Sequence, residues 1–216
     1  MNTKNTTLDP LDLYDVRSEL SDDERMVQDT VARFVDDAVI PLMREAFEQH
    51  SFPMELVPQV AELGLFGSSI DGYDCAGLNS VSYGLICQEL ERGDSGLRSF
   101  ASVQGSLVMW PISVYGSEEQ RQRYLPELAA GTPATLALME PHADWDPGHI
   151  ECRAERRGES LALGGTKTLV VDGQAAQWIV ASVSLDGSFC AARTRPKPAA
   201  MPDAVPPLEP AGPVSQ

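Results

Sequence analysis

The stretch Gln88-Glu89-Leu90-Glu91-Arg92-Gly93-Asp94-Ser95-Gly96-Leu97-Arg98-Ser99 decides how the chain is read. It holds the end of one helix and the start of another. Ser80 to Glu91 carries Val81, Leu85 and Leu90, and Gly96 to Val114 carries Val103, Leu107 and Val108, at the spacing of an apolar helix face. Upstream, Ser21-Asp22-Asp23-Glu24 has capping-box spacing, with a Ser hydroxyl for the N3 amide and a Glu reaching back. Its carboxylates also suit the positive end of a helix dipole. Val27, Val31, Phe34, Val35, Ala38 and Val39 then make one stripe, and Pro41 kinks that helix or begins the next. Pro53 suits a first helical turn ahead of the stripe Leu56, Val57, Val60 and Leu63, with Gly64 as its C′ residue. Residues 67–77, rich in Gly and Asp, read as a loop. Downstream, Ser117-Glu118-Glu119-Gln120 repeats the capping-box spacing and opens a short helix ended by Gly131, with Pro126 as a break or bend. Five or six helices before residue 131 imply a helical bundle.

After Gly131 the period changes. Thr135 to Glu140, Ile150 to Glu155, Ser160 to Leu163, Lys167 to Val171, Trp178 to Val183 and Ser188 to Ala191 are short runs. Arg157-Gly158-Glu159, Asp172-Gly173 and Asp186-Gly187 supply turns between them, so the region reads as a small antiparallel sheet. From Ala191 onward there are seven prolines and no apolar periodicity, which predicts disorder. The expected organisation is an arm over 1–20, a helical domain over 21–131, a partial β-domain over 132–192 and a disordered Pro/Ala-rich tail over 193–216.

A net charge of −16 argues against nucleic acid and against an anionic membrane surface, since both call for clustered Lys and Arg. No run approaches the 18 or so apolar residues of a membrane span, and Met1 to Thr7 lacks the apolar core of a secretory signal. Cys75, Cys87, Cys152 and Cys190 are too far apart for a ligand motif and read as reduced thiols of a cytoplasmic protein. His50, His142 and His149 also lack ligand spacing. Gly164-Gly165-Thr166-Lys167-Thr168 lacks the first glycine of a phosphate loop and reads as a β-turn.

Several segments resemble acyl-CoA dehydrogenases: Gly72-Tyr73-Asp74-Cys75-Ala76-Gly77, the opening stretch from Gln88 to Ser99, Ser106-Leu107-Val108-Met109, and the run from Tyr115 to Pro126. The resemblance runs from about residue 8 to about residue 190 and is nearest to the glutaryl-CoA dehydrogenase branch. It implies an α+β fold: the family's all-α N-terminal domain, then an incomplete antiparallel β-domain, with the C-terminal four-helix bundle absent. It also implies FAD as cofactor, an acyl-CoA substrate, a homo-oligomer and an electron-transfer flavoprotein as electron acceptor. Arg98 matches the arginine for a distal substrate carboxylate, which a guanidinium binds bidentately, and Ser99 and Ser102 match acyl-pocket positions. Read from its neighbours alone, Arg98 is an ion-pair partner of Glu91 or Asp94.

The matched flavin positions are Leu138, Met139, Glu140, Leu169 and Val171. The family's Thr-Glu-Pro is Met139-Glu140-Pro141 here, its Gly-Ser pair is Asp144-Trp145, and its Trp-Ile-Thr is Leu169-Val170-Val171. A lost aromatic stack costs about 0.5–1.5 kcal/mol and each lost hydrogen bond about 1 kcal/mol. Several together weaken FAD binding by roughly 100-fold. The catalytic carboxylate of the family lies in the bundle, so no catalytic residue is assigned here; Glu89, Glu91 and Glu140 read as solvated or capping groups. The expectation is a truncated homologue, inactive alone. The alternatives are a binding or scaffold subunit, or a half-enzyme forming a heteromer with a dehydrogenase subunit that supplies the bundle. The Ala/Pro/Arg-rich end also reads as out-of-frame translation, which predicts family sequence in another frame of the coding DNA.

Overall fold

The computed structural model describes residues 12–142, 149–158, 160–186 and 188–194. The chain divides into two compact units, Met1–Leu136 and Ala137–Gln216. Most of the proline-rich tail, and the Asp144-Trp145 pair, lie outside the described residues.

The first unit is helical. A 3₁₀ turn (Val16–Glu19) precedes α1 (Asp22–Phe34), α2 (Ile40–Glu48), α3 (Leu56–Glu62), α4 (Ser80–Gly93), α5 (Ser95–Ser102), α6 (Trp110–Tyr115) and α7 (Glu118–Ala129). Both capping boxes form. The Ser21 hydroxyl accepts from the Glu24 N–H and the Glu24 carboxylate accepts from the Ser21 N–H; Ser117 and Gln120 repeat the exchange. Gly64 closes α3 at φ +68°, a conformation that a Cβ would strain. Pro126 lies inside α7 without ending it. Pro53 stands ahead of α3, its carbonyl accepting from the Leu56 N–H.

The helices α1 and α2 run together through a π-helical segment (Val35–Val39), and α5 and α6 through another (Val103–Met109). In each, an N–H reaches back five residues, Ile40 to Val35 and Trp110 to Gly105, and the next residue is a proline, Pro41 or Pro111. Proline has no N–H and collides with the carbonyl four residues back, a conflict that the wider turn relieves.

That extra residue per turn corrects the expected core. Val103 and Val108 are buried, five apart, while Leu107 is exposed. On α4, which is a regular helix, the buried face is Ser82, Ile86, Glu89 and Leu90: Leu90 is inside as expected, Val81 is outside, and Ile86 takes the place expected of Leu85. The core gathers Val31, Val35, Val39, Leu56, Val60, Phe66, Ile86, Leu90, Leu97, Phe100, Met109 and Leu125. Each fully buried aliphatic contributes about 1.5–3 kcal/mol. Gln104, also buried, donates to the Leu128 and Thr132 carbonyls and accepts from the Ala134 N–H, fastening the end of α7.

The strands are β1 (Ala134–Ala137), β2 (Arg153–Arg157), β3 (Ser160–Gly164), β4 (Trp178–Leu185) and β5 (Ser188–Thr194), in the order β1-β4-β2-β3 with β5 on β4. The sheet is mixed. β2 and β3 form an antiparallel hairpin, as do β4 and β5, but β4 pairs with β2 in parallel. After the hairpin the chain passes the end of β2 and lays β4 along its far side. The core of this unit is Ala137, Ile150, Cys152, Ala154, Ala181 and Val183.

Lys167 to Val171 is not a strand. Leu169 and Asp172 have φ of 52° and 53°, which no β-ladder accommodates, although the composition Thr-Leu-Val-Val favours one. Gly165, at φ +133°, lies against Cys152 where a Cβ would overlap the sulfur. The chain beyond it is irregular, with no helix such as a phosphate loop requires. No described helix is long and apolar enough to cross a membrane.

Candidate functional site

The helices α4 and α5 meet at Asp94, whose extended backbone breaks the helix and whose carboxylate accepts from the Leu97 N–H at 2.8 Å. They fold back as antiparallel neighbours, and polar side chains line one seam between them. Arg98 Nε donates to Glu91 Oε2 at 2.7 Å, and Nη1 lies 3.4 Å from Ser102 Oγ. Two turns away, the Tyr83 and Ser106 hydroxyls are 2.8 Å apart. Each four-residue step back along α4, from Glu91 to Cys87 to Tyr83, is matched by a step forward from Arg98 to Ser102 to Ser106. Glu91 is exposed; the other five are half-buried.

The ion-pair question at Arg98 is answered for Glu91, since Asp94 is occupied as a cap. The Glu91 carboxylate holds Arg98 above its usual pKa. Arg98 and Ser102 share a helix face; Ser99 is half-buried and offset from it. Tyr83, Cys87 and Ser106 were not singled out by sequence, although their mirrored four-residue spacing was visible. Glu89 is not solvated: it is buried, with Arg92 at 2.8 Å and Gln28 Nε2 at 3.4 Å.

In the second unit Glu140 is likewise buried. Its carboxylate accepts from the Glu151 N–H at 2.6 Å, the Cys152 N–H at 3.1 Å and Lys167 Nζ at 2.6 Å. Lys167 Nζ also reaches Ser182 Oγ at 2.7 Å and the Leu138 carbonyl at 3.1 Å, while the Thr168 N–H donates to the Met139 carbonyl at 2.9 Å. These bonds tie the segment 138–140 to 167–168. Burial alone would raise the pKa of Glu140, but the ammonium and the two amides overcome it and hold the carboxyl at about 2. Burial, then the adjacent carboxylate, push the Cys152 thiol up to about 11, so it is not a reactive thiolate near neutrality. Outward, Leu138, Leu169 and Val171 are 42%, 80% and 51% exposed, and Met139 is half-buried.

This set does not fit the polar side of a tightly held flavin. It offers an apolar surface, no side-chain hydrogen-bond donor, and a carboxylate already saturated from within. Among the described residues no group of three His, Cys, Asp or Glu side chains could hold a metal ion.

Residues 21–132 match the family described as acyl-CoA dehydrogenase, N-terminal domain. The bovine mitochondrial short-chain specific acyl-CoA dehydrogenase is 29% identical over 173 residues, 79% of this chain and 42% of that protein. A probable acyl-CoA dehydrogenase of Bacillus subtilis is 30% identical over 166 residues, 75% of this chain and 43% of its own length. A glutaryl-CoA dehydrogenase from Mycobacterium smegmatis, solved in complex with FADH2, superposes with a TM-score of 0.81 at 42% identity, covering 86% of this chain and 48% of the other. The chain thus spans under half the length of these relatives. The family match lies in the helical unit and covers just over half of the chain's 216 residues, and the chain belongs to the acyl-CoA dehydrogenase family.

Proposed function

We propose that this chain is a glutaryl-CoA dehydrogenase-like homologue that keeps an acyl-thioester recognition seam and, alone, does not carry out flavin-dependent dehydrogenation. The observation that supports it most is Arg98. Its guanidinium is half-exposed beside Ser102 and Ser99, and its carboxylate partner Glu91 is 50% exposed. An exposed pair of this kind is worth about 0–1 kcal/mol, so a substrate carboxylate can displace Glu91 at small cost. Dehydrogenation also needs a base within about 3 Å of the proton it removes; the carboxylate that the described seam offers is Glu91, at the end that would hold the substrate's distal carboxylate. Leu138, Met139, Leu169 and Val171 stand at the family's flavin positions as an apolar surface held from inside by Glu140, and they give the polar edge of a flavin no side-chain partner.

Purified protein is expected to be colourless, with no flavin band and no dye-linked turnover of glutaryl-CoA. A yellow preparation with stoichiometric FAD and turnover would refute the reading. Calorimetry should find glutaryl-CoA bound more tightly than CoA, and Arg98→Gln should remove the difference. A cytoplasmic setting belongs to the same reading, supported by the free thiols of Cys75, Cys87 and Cys152.

A second reading, a binding subunit or the half of a heteromeric enzyme, is favoured by one feature. Leu107, Trp110 and Val114 expose 45%, 47% and 44% of their surface at helical spacing, with Tyr115 at 79% beside them. Contiguous apolar surface of this kind is a common mark of a contact site. Co-purification of a dehydrogenase subunit that is lost on Trp110→Glu would support this reading; a monodisperse monomer at high concentration with no such partner would count against it.

A further inference from the structure

The seam does not end at Arg98. We infer that Tyr83 and Ser106 are specificity-determining residues that make it select acyl chains ending in a hydrogen-bonding group and reject plain alkyl chains. This rests on the acyl-thioester reading of the same seam and adds residues to it.

Packing does not explain the pair. The buried faces of the two helices carry Ile86 and Leu90 on α4 and Leu97 and Phe100 on α5, and Phe100 stacks on Phe52. Tyr83 and Ser106 are half-buried and lie outside those fully buried faces. Two hydroxyls bonded to each other at 2.8 Å use one proton between them, and the second remains to donate. With Arg98 and Ser102, the seam thus offers several donors along two helical turns, and Glu91 is its one carboxylate.

A carboxylate, hydroxyl or amide end group would replace the water that these donors lose. A methyl end would strip that water and return nothing. A site built to hydrogen-bond its ligand rejects the analogue without the bonding group far more strongly than an apolar pocket rejects an added methylene. The Tyr83–Ser106 pair extends that penalty beyond the reach of the arginine.

The test compares dissociation constants of glutaryl-CoA, hexanoyl-CoA and CoA on the full chain and on Tyr83→Phe, Ser106→Ala, the double variant and Arg98→Gln. The double variant should bind hexanoyl-CoA about tenfold more tightly and change for glutaryl-CoA by less than about threefold. Tyr83→Phe keeps the ring and should show part of the gain, which keeps the proposal testable if the double variant fails to fold. An unchanged ratio of hexanoyl-CoA to glutaryl-CoA affinity in folded Tyr83→Phe and Ser106→Ala would overturn it, even if Arg98→Gln still loses glutaryl-CoA. If Arg98→Gln has no effect but the hydroxyl variants shift the ratio, the pair acts as proposed and only the arginine assignment falls. If the unsubstituted chain binds neither thioester better than CoA, both readings fall together.

Discussion

In the helical unit the polar groups of the candidate site lie half-exposed along the α4–α5 seam, bonded in pairs that the core does not need. In the sheet unit the arrangement is reversed. Glu140, Lys167 and Ser182 are inside, and the outward positions carry Leu138, Leu169 and Val171. Polar side chains left at a surface can be given to a ligand; those locked inside hold segments in place. On the proposed reading, the first unit keeps binding chemistry and the second keeps mainly its own architecture.

The largest expected effect breaks the sheet unit. Lys167→Met leaves the Glu140 carboxylate buried without its ammonium and should cost about 3–5 kcal/mol, as removing one partner of a buried pair does. Hydrogen exchange should lose protection over 134–185 while 22–129 keeps it; equal loss in both units would erase the contrast. Acid should act on the same pair. Glu140 is held at about 2 against an ordinary 4.5, so its stabilisation is fully present above pH 4.5 and is lost as the pH falls toward 2. Fluorescence of Trp178 should report the loss, and no loss in Glu140→Gln across that window would confirm its source.

In the helical unit, Ser21→Ala or Ser117→Ala should cost about 1 kcal/mol each in denaturant melts, the usual worth of an N-cap. The smallest effect is the most informative. Glu91→Gln and Arg98→Gln should change stability by less than about 1 kcal/mol, because both members of the pair are substantially exposed. A large loss at either position would make the seam part of the scaffold, and the contrast between the units would fail.

Much of the helical unit was legible because its signals are local: two capping boxes within four residues each, Gly64 at a helix end, and apolar stripes on α1 and α3. Leu107, on the helix after Ser102, was misjudged, since a regular period cannot show where a π-turn enters; on α4, which is regular, Leu90 is inside as read and Val81 is not. Glu89 and Glu140 were read as solvated or capping because carboxylates usually are; besides Arg92, three residues on, the partners that bury them include Gln28 and Lys167, 61 and 27 residues away. The segment after Lys167 has strand composition but turns left-handed at Leu169 and Asp172, a choice made by its surroundings. At the seam, Arg98 and Glu91 could be paired from sequence, whereas the Tyr83–Ser106 bond needed the antiparallel packing of two helices.

The wide turn before Pro111 also fixes the aim of everything on either side of it. It stores one surplus residue, and each residue of a helix is worth about 100° of rotation about its axis. Deleting one residue between 103 and 109 would restore a regular ladder and swing Arg98 and Ser102 away from α4 relative to Trp110 and Val114. The orientation of the seam is thus set by the number of residues in that segment as much as by their identity, and removing one of residues 107–109 should re-aim Arg98, Ser102 and Ser106 against Trp110 and Val114 while keeping all three side chains.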